Sequence, residues 1–525
     1  MTRVLTAADT ALLLEAADLD ESMRLLPALA AAELPGVTEL VPAARTILVR
    51  FDPRRIAAAT LAERLLAIEP TAGRAVGADT VTIPVRYDGD DLAEVAQLLG
   101  ASPDEIVARH LAATWTVAFT GFAPGFGYLA GDDARLDVPR RSTPRTRIPA
   151  GSVALAGRFS GVYPRESPGG WQLIGRTDAA MWDLDRDPPA LLQPGSTVRF
   201  ERAERELVTA AAPARPPVEA PHAVEVLRSG LQLVIQDLGR GGMAAQGVST
   251  SGTADRGSLR EANRAVGNAP GEAGLELAGG GAILRFRGDA VVALSGALAD
   301  ASVHPLGAAP AHAVEHGSAM AIEDGDELRI GAPRDGLRVL LAIRGGIAVE
   351  PVLGSRATDT LAHLGPATLG AGDVLPLHGP GRAAAAVAPT RAPRIPLPVA
   401  GETVALSIVL GPRQDWFTAA AVATLLEQEW EVTPRSDRVG VRLHGQRPLE
   451  RDRHGELESE GAVTGAIQVP PDGQPVLFLP DHPLTGGYPV IGAVVDRDVD
   501  RAGQLPPGAR IRFHLAAPHA GAART

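Results

Sequence analysis

The chain has 525 residues, carries a formal net charge of −12 and contains neither cysteine nor lysine, so all 50 of its Lys+Arg residues are arginine. A chain of this length exceeds a single hydrophobic core, and several domains are expected. The missing cysteines exclude disulfides, thiolate nucleophiles and cysteine-ligated metals; the missing lysines exclude a Schiff base, a P-loop lysine and covalently attached biotin; and the negative charge argues against a nucleic-acid partner.

The first eighty residues predict a small α+β domain. A strand at 11–14 precedes an apolar-periodic helix around 23–29, and a strand at 46–51 precedes a helix with Leu61, Leu65, Leu66 and Ile68 on one face. Two more helices are predicted beyond this domain. One has apolar residues between 92 and 99, and the other begins at Ser102 with a proline in its first turn and Glu105 completing a capping box.

From residue 115 onward the pattern changes to short strands and turns. Residues 115–119 alternate, and apolar runs at 233–235, 291–294 and 337–341 are separated by glycine-rich turns. This pattern is typical of β-barrels or sandwiches. No apolar stretch is long enough to cross a bilayer, and the N-terminus lacks a signal-peptide core, so a cytoplasmic protein with no membrane partner is expected.

Two proline- and alanine-rich stretches, 210–221 and 382–398, lack apolar periodicity and are predicted to be linkers. They separate a middle portion at 222–381 from an N-terminal portion and from a C-terminal portion at 399–525. The change of pattern near residue 80 divides the N-terminal portion into domains at 1–80 and 81–209.

Two segments more than three hundred residues apart repeat one pattern. Residues 169–175 and 486–492 both read Gly-Gly-aromatic, two residues, Ile-Gly. Three other strings recur around them in the same order: Thr-Pro-Arg (143–145, 433–435), glycine two positions before a β-branched residue (151–153, 465–467), and a Pro-Gly turn before a strand (194–200, 507–513). Four ordered matches favour duplicated domains over chance recurrence of turn residues.

The loop at 121–129 places three aromatic residues among glycines and a proline. Phe122, Pro124, Phe126 and Tyr128 are predicted to form the wall of a small-molecule pocket, with a packed barrel corner as the alternative. A following strip, 139–149, interleaves four arginines with three prolines. Arginines stiffened in this way suit a carboxylate or phosphate ligand, and a solvated basic edge is the alternative for any one of them.

Several acidic residues and histidines are further candidates. Asp237 and Asp437 lie within three residues of an arginine, which indicates either a structural ion pair or, at a cleft, a site for Mg²⁺ and phosphate. Asp481-His482 precedes the second Gly-Gly segment, where the imidazole suits acid–base work, a surface histidine being the alternative. Residues 312–316 match a zinc-hydrolase pattern, but the flanking glycines and proline predict loop and strand, so no metal is expected there.

These motifs resemble those of a known family. Residues 119–131, 139–145, 148–153, 163–164 and 167–177 are similar to the B subunit of bacterial ATP-dependent 5-oxoprolinase, also called allophanate hydrolase subunit 1 or the kinase-inhibitor type. From residue 230 onward the chain resembles the C subunit, through residues 236–240, 251–255, 262–268, 275–276, 436–438, 465–473 and 485–489. The resemblance implies a natural B–C fusion that is mainly β, with an α+β N-terminal domain and several internally duplicated, cyclophilin-like β-barrel domains.

The resemblance implies a component of 5-oxoprolinase that uses ATP and Mg²⁺ to open 5-oxoproline to glutamate together with a separate A subunit. A homo-oligomer is one expected assembly. The candidate catalytic residues are Asp237, Asp437, Asp481 and His482. The candidate substrate-binding residues are Phe122, Pro124, Phe126, Tyr128, Arg140, Arg145, Trp171, Gln172, Arg176, Gly486, Gly487 and Tyr488.

Two alternative functions remain open. Related barrels form the carboxyltransferase domain of biotin-dependent urea carboxylase, and here the biotin would have to arrive on another protein. A non-catalytic inhibitor of a histidine kinase is the other alternative. The chain departs from the family pattern at Arg165-Glu166 and at His482-Pro483-Leu484, and both departures are expected to affect substrate choice.

Overall fold

The computed structural model describes residues 2–71, 80–203, 220–382, 387, 396–453, 455 and 457–516. The predicted linkers at 210–221 and 382–398 lie largely outside these residues. The described chain is mainly β, as predicted, and comprises an N-terminal α+β domain, two barrel-like sheets and a middle sheet domain. None of its helices is both long and apolar enough to cross a membrane.

The N-terminal domain is a four-stranded antiparallel sheet with two helices. Its elements are β1 (Arg3–Ala8), β2 (Ala11–Glu15), α1 (Leu19–Ala31), β3 (Val37–Pro42), β4 (Thr46–Phe51) and α2 (Ala58–Leu66), with sheet order β1-β2-β4-β3. Helix α1 begins where the Asp18 carboxylate accepts a hydrogen bond from the Glu21 amide at 2.8 Å. One sheet face packs on the helices, and α2 buries Leu61 and Leu65 against it as the sequence periodicity predicts. Leu66 is exposed instead, because it lies on the other side of the helix, and Ile68 lies beyond the end of α2.

The first barrel follows in chain order. Its elements are β5 (Thr80–Val85), α3 (Leu92–Leu98), α4 (Pro103–Ala112), β6 (Trp115–Thr120), β7 (Gly127–Gly131), β8 (Arg145–Ile148), β9 (Ser152–Ala156), β10 (Phe159–Val162), β11 (Ser167–Gly169), β12 (Gln172–Arg176) and β13 (Thr197–Arg202). Ser102 caps α4 as expected. Seven strands form one sheet in the order β12-β9-β10-β7-β6-β13-β5, and a bridge between Arg86 and Arg176 joins its two edges. Strands β8 and β11 form a separate ribbon.

The middle domain is a nine-stranded sheet with one helix. Its elements are β14 (Ala223–Arg228), β15 (Gln232–Gln236), α5 (Arg256–Ala265), β16 (Gly274–Ala278), β17 (Ala282–Arg287), β18 (Ala290–His304), β19 (His312–Ala313), β20 (Met320–Ile322), β21 (Glu327–Ile343) and β22 (Val374–Pro376). Strands β18 and β21 are far longer than the apolar runs predicted there, because register shifts between them let polar residues continue the pairing.

The last barrel closes completely. Its elements are β23 (Thr403–Leu410), α6 (Ala419–Glu427), β24 (Trp430–Val432), β25 (Gly440–His444), β26 (Glu460–Gly461), β27 (Ala466–Gln468), β28 (Val476–Phe478), β29 (Thr485–Gly486), β30 (Val490–Val494), α7 (Asp496–Gly503) and β31 (Arg510–Leu515). The closed order is β23-β30-β27-β28-β25-β24-β31, and β26 and β29 form a separate ribbon.

The two barrels have the same strand order. Reading from β12 in the first barrel and from β30 in the last, every strand has a counterpart. In both barrels the first and last strands in chain order pair in parallel, β5 with β13 and β23 with β31. Both Gly-Gly segments directly precede the corresponding strands β12 and β30. Local bonds also correspond: the indole N–H groups of Trp115 and Trp430 donate to carbonyls five residues earlier, each at 3.1 Å.

One of the four repeated strings is not equivalent between the barrels. The first Thr-Pro-Arg ends at Arg145, the first residue of β8, whereas Thr433 follows β24, the counterpart of β6. That part of the predicted repeat is wrong, because short turn strings recur by chance in a chain rich in proline and arginine. The other three strings occupy corresponding positions, before β9 and β27, β12 and β30, and β13 and β31.

The N-terminal domain packs between the two barrels. The sheet face that points away from its helices buries Leu13, Val41 and Leu48 against residues of the last barrel, including Phe478 and Leu484. Its first helix contributes Leu19 and Met23 to a cluster in the first barrel. Residues far apart in sequence therefore meet at one junction.

Candidate functional site at the domain junction

The loop after β6 connects the first barrel to the C-terminal half. The Thr120 hydroxyl donates to the Ala244 carbonyl at 2.9 Å, and the Gly125 amide donates to the Gln246 carbonyl at 3.0 Å. Phe122 has φ +65°, a conformation that non-glycine residues rarely adopt. Such strain concentrates at functional sites when the surroundings enforce it.

The aromatic residues of this loop form a packed cluster. Edge-to-face contacts join Phe126 to Tyr128 and to Trp171, with ring centroids 5.1 and 5.3 Å apart. Pro124, Phe126, Tyr128 and Trp171 are buried, and Phe122 is half-buried. The residues predicted to form a pocket wall therefore form mainly a packed barrel corner, because their rings pack against one another. Gln172 is also buried, and its amide donates to the Pro139 carbonyl at 3.3 Å.

The Tyr128 hydroxyl faces across the junction. Burial raises the pKa of Tyr128, while the side chains of Ser459 and Thr485 and the charge of Arg140 act in the opposite direction. Arg140 itself is exposed at the end of the proline-rich strip. Its charge acts on both Tyr128 and Tyr163 of the aromatic cluster.

A cleft of about 650 Å³ lies between the N-terminal domain and the last barrel. It is lined by four arginines, three glutamates and five further residues: Arg3, Arg45, Arg413, Arg453, Glu15, Glu458, Glu460, Ala16, Ala17, Trp416, Leu457 and Ser459. Ser459 belongs both to this lining and to the surroundings of the Tyr128 hydroxyl. The cleft thus adjoins the aromatic cluster.

Arg413 organises the base of the cleft. Its Nε donates to both Glu460 oxygens at 2.9 and 3.0 Å, and its Nη2 donates to Glu15 at 3.0 Å. Burial raises the pKa of Glu460, which Arg413 opposes; burial also acts to raise the pKa of Glu15, but Arg3 and Arg413 outweigh it and lower that pKa. The two carboxylates raise the pKa of Arg413 despite its burial, so the cation is retained.

The first barrel has the same ion pair with the charges exchanged. The amides of Asp91 and Arg413 donate to the corresponding carbonyls of Leu173 and Val490. Asp91 accepts two bonds from Arg145, at 2.7 and 2.8 Å, where Arg413 binds Glu460. Arg145 pairs in its ribbon with Gly169, and Glu460 with Gly486.

Two of the predicted substrate-binding arginines are committed to ion pairs. Arg145 gives both terminal nitrogens to Asp91, which also accepts from Arg141 at 2.7 Å. Arg176 binds Asp88 through Nε at 3.0 Å and through Nη2. Neither arginine offers an open fork to a carboxylate here, because neighbouring aspartates fill them; that they bind substrate stays a prediction.

The predicted catalytic Asp481 lies in a fully buried charge network. Its Oδ2 accepts from Arg438 Nε at 2.9 Å, and its Oδ1 accepts from Ser251 at 2.7 Å. Arg438 continues to Glu276, which lies 3.3 Å from Arg338. Because two cations and two carboxylates are enclosed together, the network joins the middle domain to the last barrel and leaves Asp481 no open coordination position.

The other predicted acids also lack the surroundings of a metal ligand. Asp237 accepts from the Ser355 hydroxyl and the Arg356 amide, each at 2.6 Å. Asp437 lies exposed in a turn and accepts from the Val439 amide at 2.9 Å. In the ranges that the structure describes, no three acidic or histidine side chains converge as metal ligands. As the structure places them, the three aspartates therefore do not fit Mg²⁺.

The predicted acid–base residue His482 is buried rather than at a loop mouth. Its Nδ1 donates to the Pro483 carbonyl at 2.8 Å, its ring stacks on Phe478 at 5.5 Å, and its Nε2 meets no acceptor or donor of the described chain. Burial lowers the pKa of His482 to about 4. The imidazole is therefore neutral at physiological pH.

The second Gly-Gly segment borders a different face. Thr485 and Gly486 pair with the Glu460–Gly461 ribbon behind the cleft, and Gly487 follows at the surface. Tyr488 is 46% exposed, with the Arg451 guanidinium 5.9 Å from its ring centre. The predicted substrate-binding triplet therefore does not line the cleft itself.

The histidines of the zinc-like pattern are in a strand and a turn, as expected. His312 lies in β19 and is exposed, whereas His316 is half-buried and donates to the Ala299 carbonyl at 3.0 Å. This segment lacks the helix that would place both imidazoles on one face.

Sequence reasoning did not identify the cleft residues Glu15, Arg413 and Glu460. Each belongs to a different local segment, and only the duplication carries a signal for them. Even so, aligning the Gly-Gly segments does not place Arg413 against Asp91, and the two correspond only through their backbone bonds to Val490 and Leu173. Arg438 lies in a quoted motif, but nothing local indicates that it points inward while Asp437 points outward.

Comparisons with known proteins cover both halves of the chain. The carboxyltransferase domain, subdomain A and B, matches residues 246–515, and the carboxyltransferase domain, subdomain C and D, matches residues 2–192. The chain is 32% identical to the C subunit of 5-oxoprolinase from Escherichia coli (strain K12) over 293 residues, 55% of this chain and 90% of that protein. It is 40% identical to the B subunit of 5-oxoprolinase from Bacillus subtilis (strain 168) over 185 residues, 32% of this chain and 76% of that protein.

The chain is also similar to part of a longer protein and to a solved structure. The chain is 32% identical to the urea amidolyase of Lachancea kluyveri over 317 residues, 56% of this chain but only 17% of that protein. The crystal structure of TTHA0988 superposes with a TM-score of 0.82 at 35% identity, covering 98% of this chain and 100% of that chain.

Proposed function

We propose that this chain is the B–C component of an ATP-dependent 5-oxoprolinase. The chain belongs to the carboxyltransferase-domain family, and it fuses parts homologous to the B and C subunits of 5-oxoprolinase. A separate A subunit would complete the reaction. The observation that carries the proposal is that one chain joins both parts around an arginine-lined cleft.

The proposed reaction converts 5-oxoproline, ATP and two molecules of water to glutamate, ADP and phosphate. The lactam oxygen accepts the terminal phosphoryl group of ATP, and ADP leaves. One water adds to the phosphorylated carbon and the ring C–N bond breaks, which gives an acyl phosphate; a second water hydrolyses it to glutamate and phosphate.

Arg45 and Arg453 at the rim of the cleft suit the anionic groups of both substrates. Both also have acidic neighbours: Arg45 lies 3.7 Å from Glu15 and from Glu458, and Arg453 lies 3.1 Å from Asp415, so a substrate anion would compete with exposed ion pairs. The Arg413 pair with Glu15 and Glu460 keeps the floor of the cleft fixed while these ligands bind.

We also infer that the two barrels arose by duplication and are of the cyclophilin-like type implied by the sequence resemblance. Their common strand order and the corresponding positions of Trp115 and Trp430 support this inference. The exchanged charges of the Asp91–Arg145 and Arg413–Glu460 pairs support later divergence, since only the second pair extends to another domain.

A carboxyltransferase is the second candidate, favoured by the similarity to urea amidolyase. Because the chain has no lysine, the biotin would have to be carried by another protein. Carboxyl transfer from a separate protein that carries carboxybiotin to a small amide, without ATP consumption, would distinguish this activity.

The test is ATP hydrolysis that depends on 5-oxoproline, measured with and without a co-expressed A subunit. Glutamate should form only when both components are present. Arg45→Gln should raise the Michaelis constant at least tenfold, whereas Arg158→Gln should not, although the two side chains are 45% and 44% exposed. Absence of 5-oxoproline-dependent turnover with an active A subunit would disprove the proposal.

A further inference from the structure

A loop of the middle domain, residues 353–365 and here called the hub loop, is held by three domains. Asp237 binds Ser355 and Arg356, while Asp481 of the last barrel accepts from the Thr360 amide and hydroxyl at 2.9 and 2.7 Å. Arg165 of the first barrel donates to the Leu361 carbonyl.

The hub loop is also strained. Leu353 and His363 both have φ +53°, although neither is glycine. Backbone conformations of this kind are unfavourable for residues other than glycine and persist where the surroundings enforce them. The strain marks the hub loop as more than a passive connection.

Two arginines contact the hub loop with only part of their hydrogen-bonding capacity. Arg240 is 2% exposed, and one terminal nitrogen donates to the Ala357 carbonyl. Its Nε and Nη1 are buried and meet no acceptor among the described residues. The same holds for Nε and Nη1 of Arg165, whose remaining nitrogen binds Leu361.

Neighbouring carboxylates attract these guanidinium groups electrostatically but accept no hydrogen bond from their buried Nε and Nη1 groups. Asp359 acts electrostatically on both arginines. Its oxygens, however, accept from the Leu361 and Ala362 amides at 3.0 and 2.7 Å and from Ser249 at 3.3 Å. The nearby Asp237 and Asp481 carboxylates are occupied by the bonds described above.

Buried N–H groups without acceptors are unfavourable, and a ligand with only acceptor oxygens would satisfy several of them at once. We propose that Arg165 and Arg240 bind a small oxyanion, a phosphate or carboxylate group, beside the hub loop where the first barrel meets the middle domain. This site is separate from the arginine-lined cleft, and the proposal is independent of the reaction catalysed.

The test is binding of inorganic phosphate and of acetate to the full chain, measured by calorimetry and by thermal melting. Chloride at matched ionic strength is the reference. At least one oxyanion should bind saturably and raise the melting temperature. A preference for phosphate would indicate a phosphoryl-bearing ligand, and a preference for acetate a carboxylate.

Arg165→Gln should weaken the preferred oxyanion at least tenfold, because it removes two buried donors. Arg199→Gln is the control, since Arg199 is exposed on β13, away from the hub loop. Arg240→Gln should have the same effect if it folds; if it does not fold, the half-buried Arg165 variant decides alone. Oxyanion binding no better than chloride, or unchanged in Arg165→Gln, would show that water fills these bonds and would overturn the proposal.

Discussion

At the residue scale, burial shifts the pKa values of two neighbouring groups at the junction, and the two shifts make stability depend on pH in opposite directions. Burial, reinforced by Asp481, raises the pKa of Asp359 to about 6, whereas burial lowers the pKa of His482 to about 4. The folded state therefore binds a proton at Asp359 more readily than the unfolded state, and at His482 less readily. Stability contributed by neutral His482 is lost as the pH falls from about 6.5 to about 4.

Asp359 makes stability depend on pH with the opposite sign to His482, and Asp359→Asn should remove this contribution. Wild-type stability from this group is present below pH 4 and is lost as the pH rises to about 6, by about 2–3 kcal/mol. The groups facing Asp359 are Asp481, Arg240, Arg165, Ser249 and the two backbone amides it accepts from.

Urea unfolding of Asp359→Asn at pH 4.5 and 7.5 measures this effect. The free energy of unfolding of the variant should rise relative to that of wild type at the higher pH. Asp300→Asn, whose side chain is 85% exposed, is the control and should follow wild type. An identical pH slope in Asp359→Asn would contradict the burial of an ionised carboxylate there.

The Asp91–Arg145 pair gives a second residue-scale prediction. Arg145→Lys loses the bidentate fork but keeps its charge, and Arg141 still contacts Asp91, so unfolding should become easier by about 1–2 kcal/mol. Arg147→Lys should change nothing measurable, since its pair with Glu166 is exposed. An unchanged urea midpoint together with a raised Michaelis constant would return Arg145 to substrate binding.

At the element scale, turns between strands fix how each barrel closes. Gly151 precedes β9 with φ +77°, and a Cβ there would lie 2.2 Å from the Thr177 carbonyl oxygen. Gly157 also has positive φ, +53°, yet a Cβ there would meet nothing within 4 Å. Gly151 is therefore required both by its positive φ and by the lack of space for a Cβ, whereas Gly157 is favoured by its positive φ alone.

Gly151→Ala should therefore destabilise the chain by more than about 2 kcal/mol, whereas Gly157→Ala should cost about 1 kcal/mol. Thermal melting of the two variants compares them directly. Equal losses would show that the Thr177 backbone moves away and that only φ matters.

At the scale of the whole molecule, the N-terminal domain connects the two halves. It packs on the last barrel through the apolar face around Leu48, and Glu15 binds Arg413. Arg50 also donates to the Thr250 hydroxyl at 2.8 Å. These contacts join the N-terminal domain to the middle domain and to the last barrel.

Residues 1–203 and 220–525, co-expressed as separate chains, should therefore form a stable one-to-one complex. Size-exclusion chromatography with light scattering measures the assembly, and Arg413→Gln should weaken it because Glu15 and Glu460 lose their buried partner. Independent elution of the two chains at micromolar concentration would contradict this reading of the junction.

The sequence by itself determined the properties that depend on local pattern. Apolar periodicity located β2, β4 and the two helices of the N-terminal domain, but not β1 or β3. The helix cap at Ser102 was predicted from three residues. The repeated Gly-Gly segments indicated related barrels, because turns that precede equivalent strands need the same backbone freedom. Motifs of the B and C types identified the family.

The tertiary structure decided what those residues do. Arg145, Arg176, Asp237 and Asp481 carry the right chemistry for a site, but the fold places a partner of opposite charge or a backbone donor beside each. The cleft instead joins Glu15 to Arg413, 398 positions apart in sequence. Such a pairing depends on how three domains pack, and no local pattern encodes it.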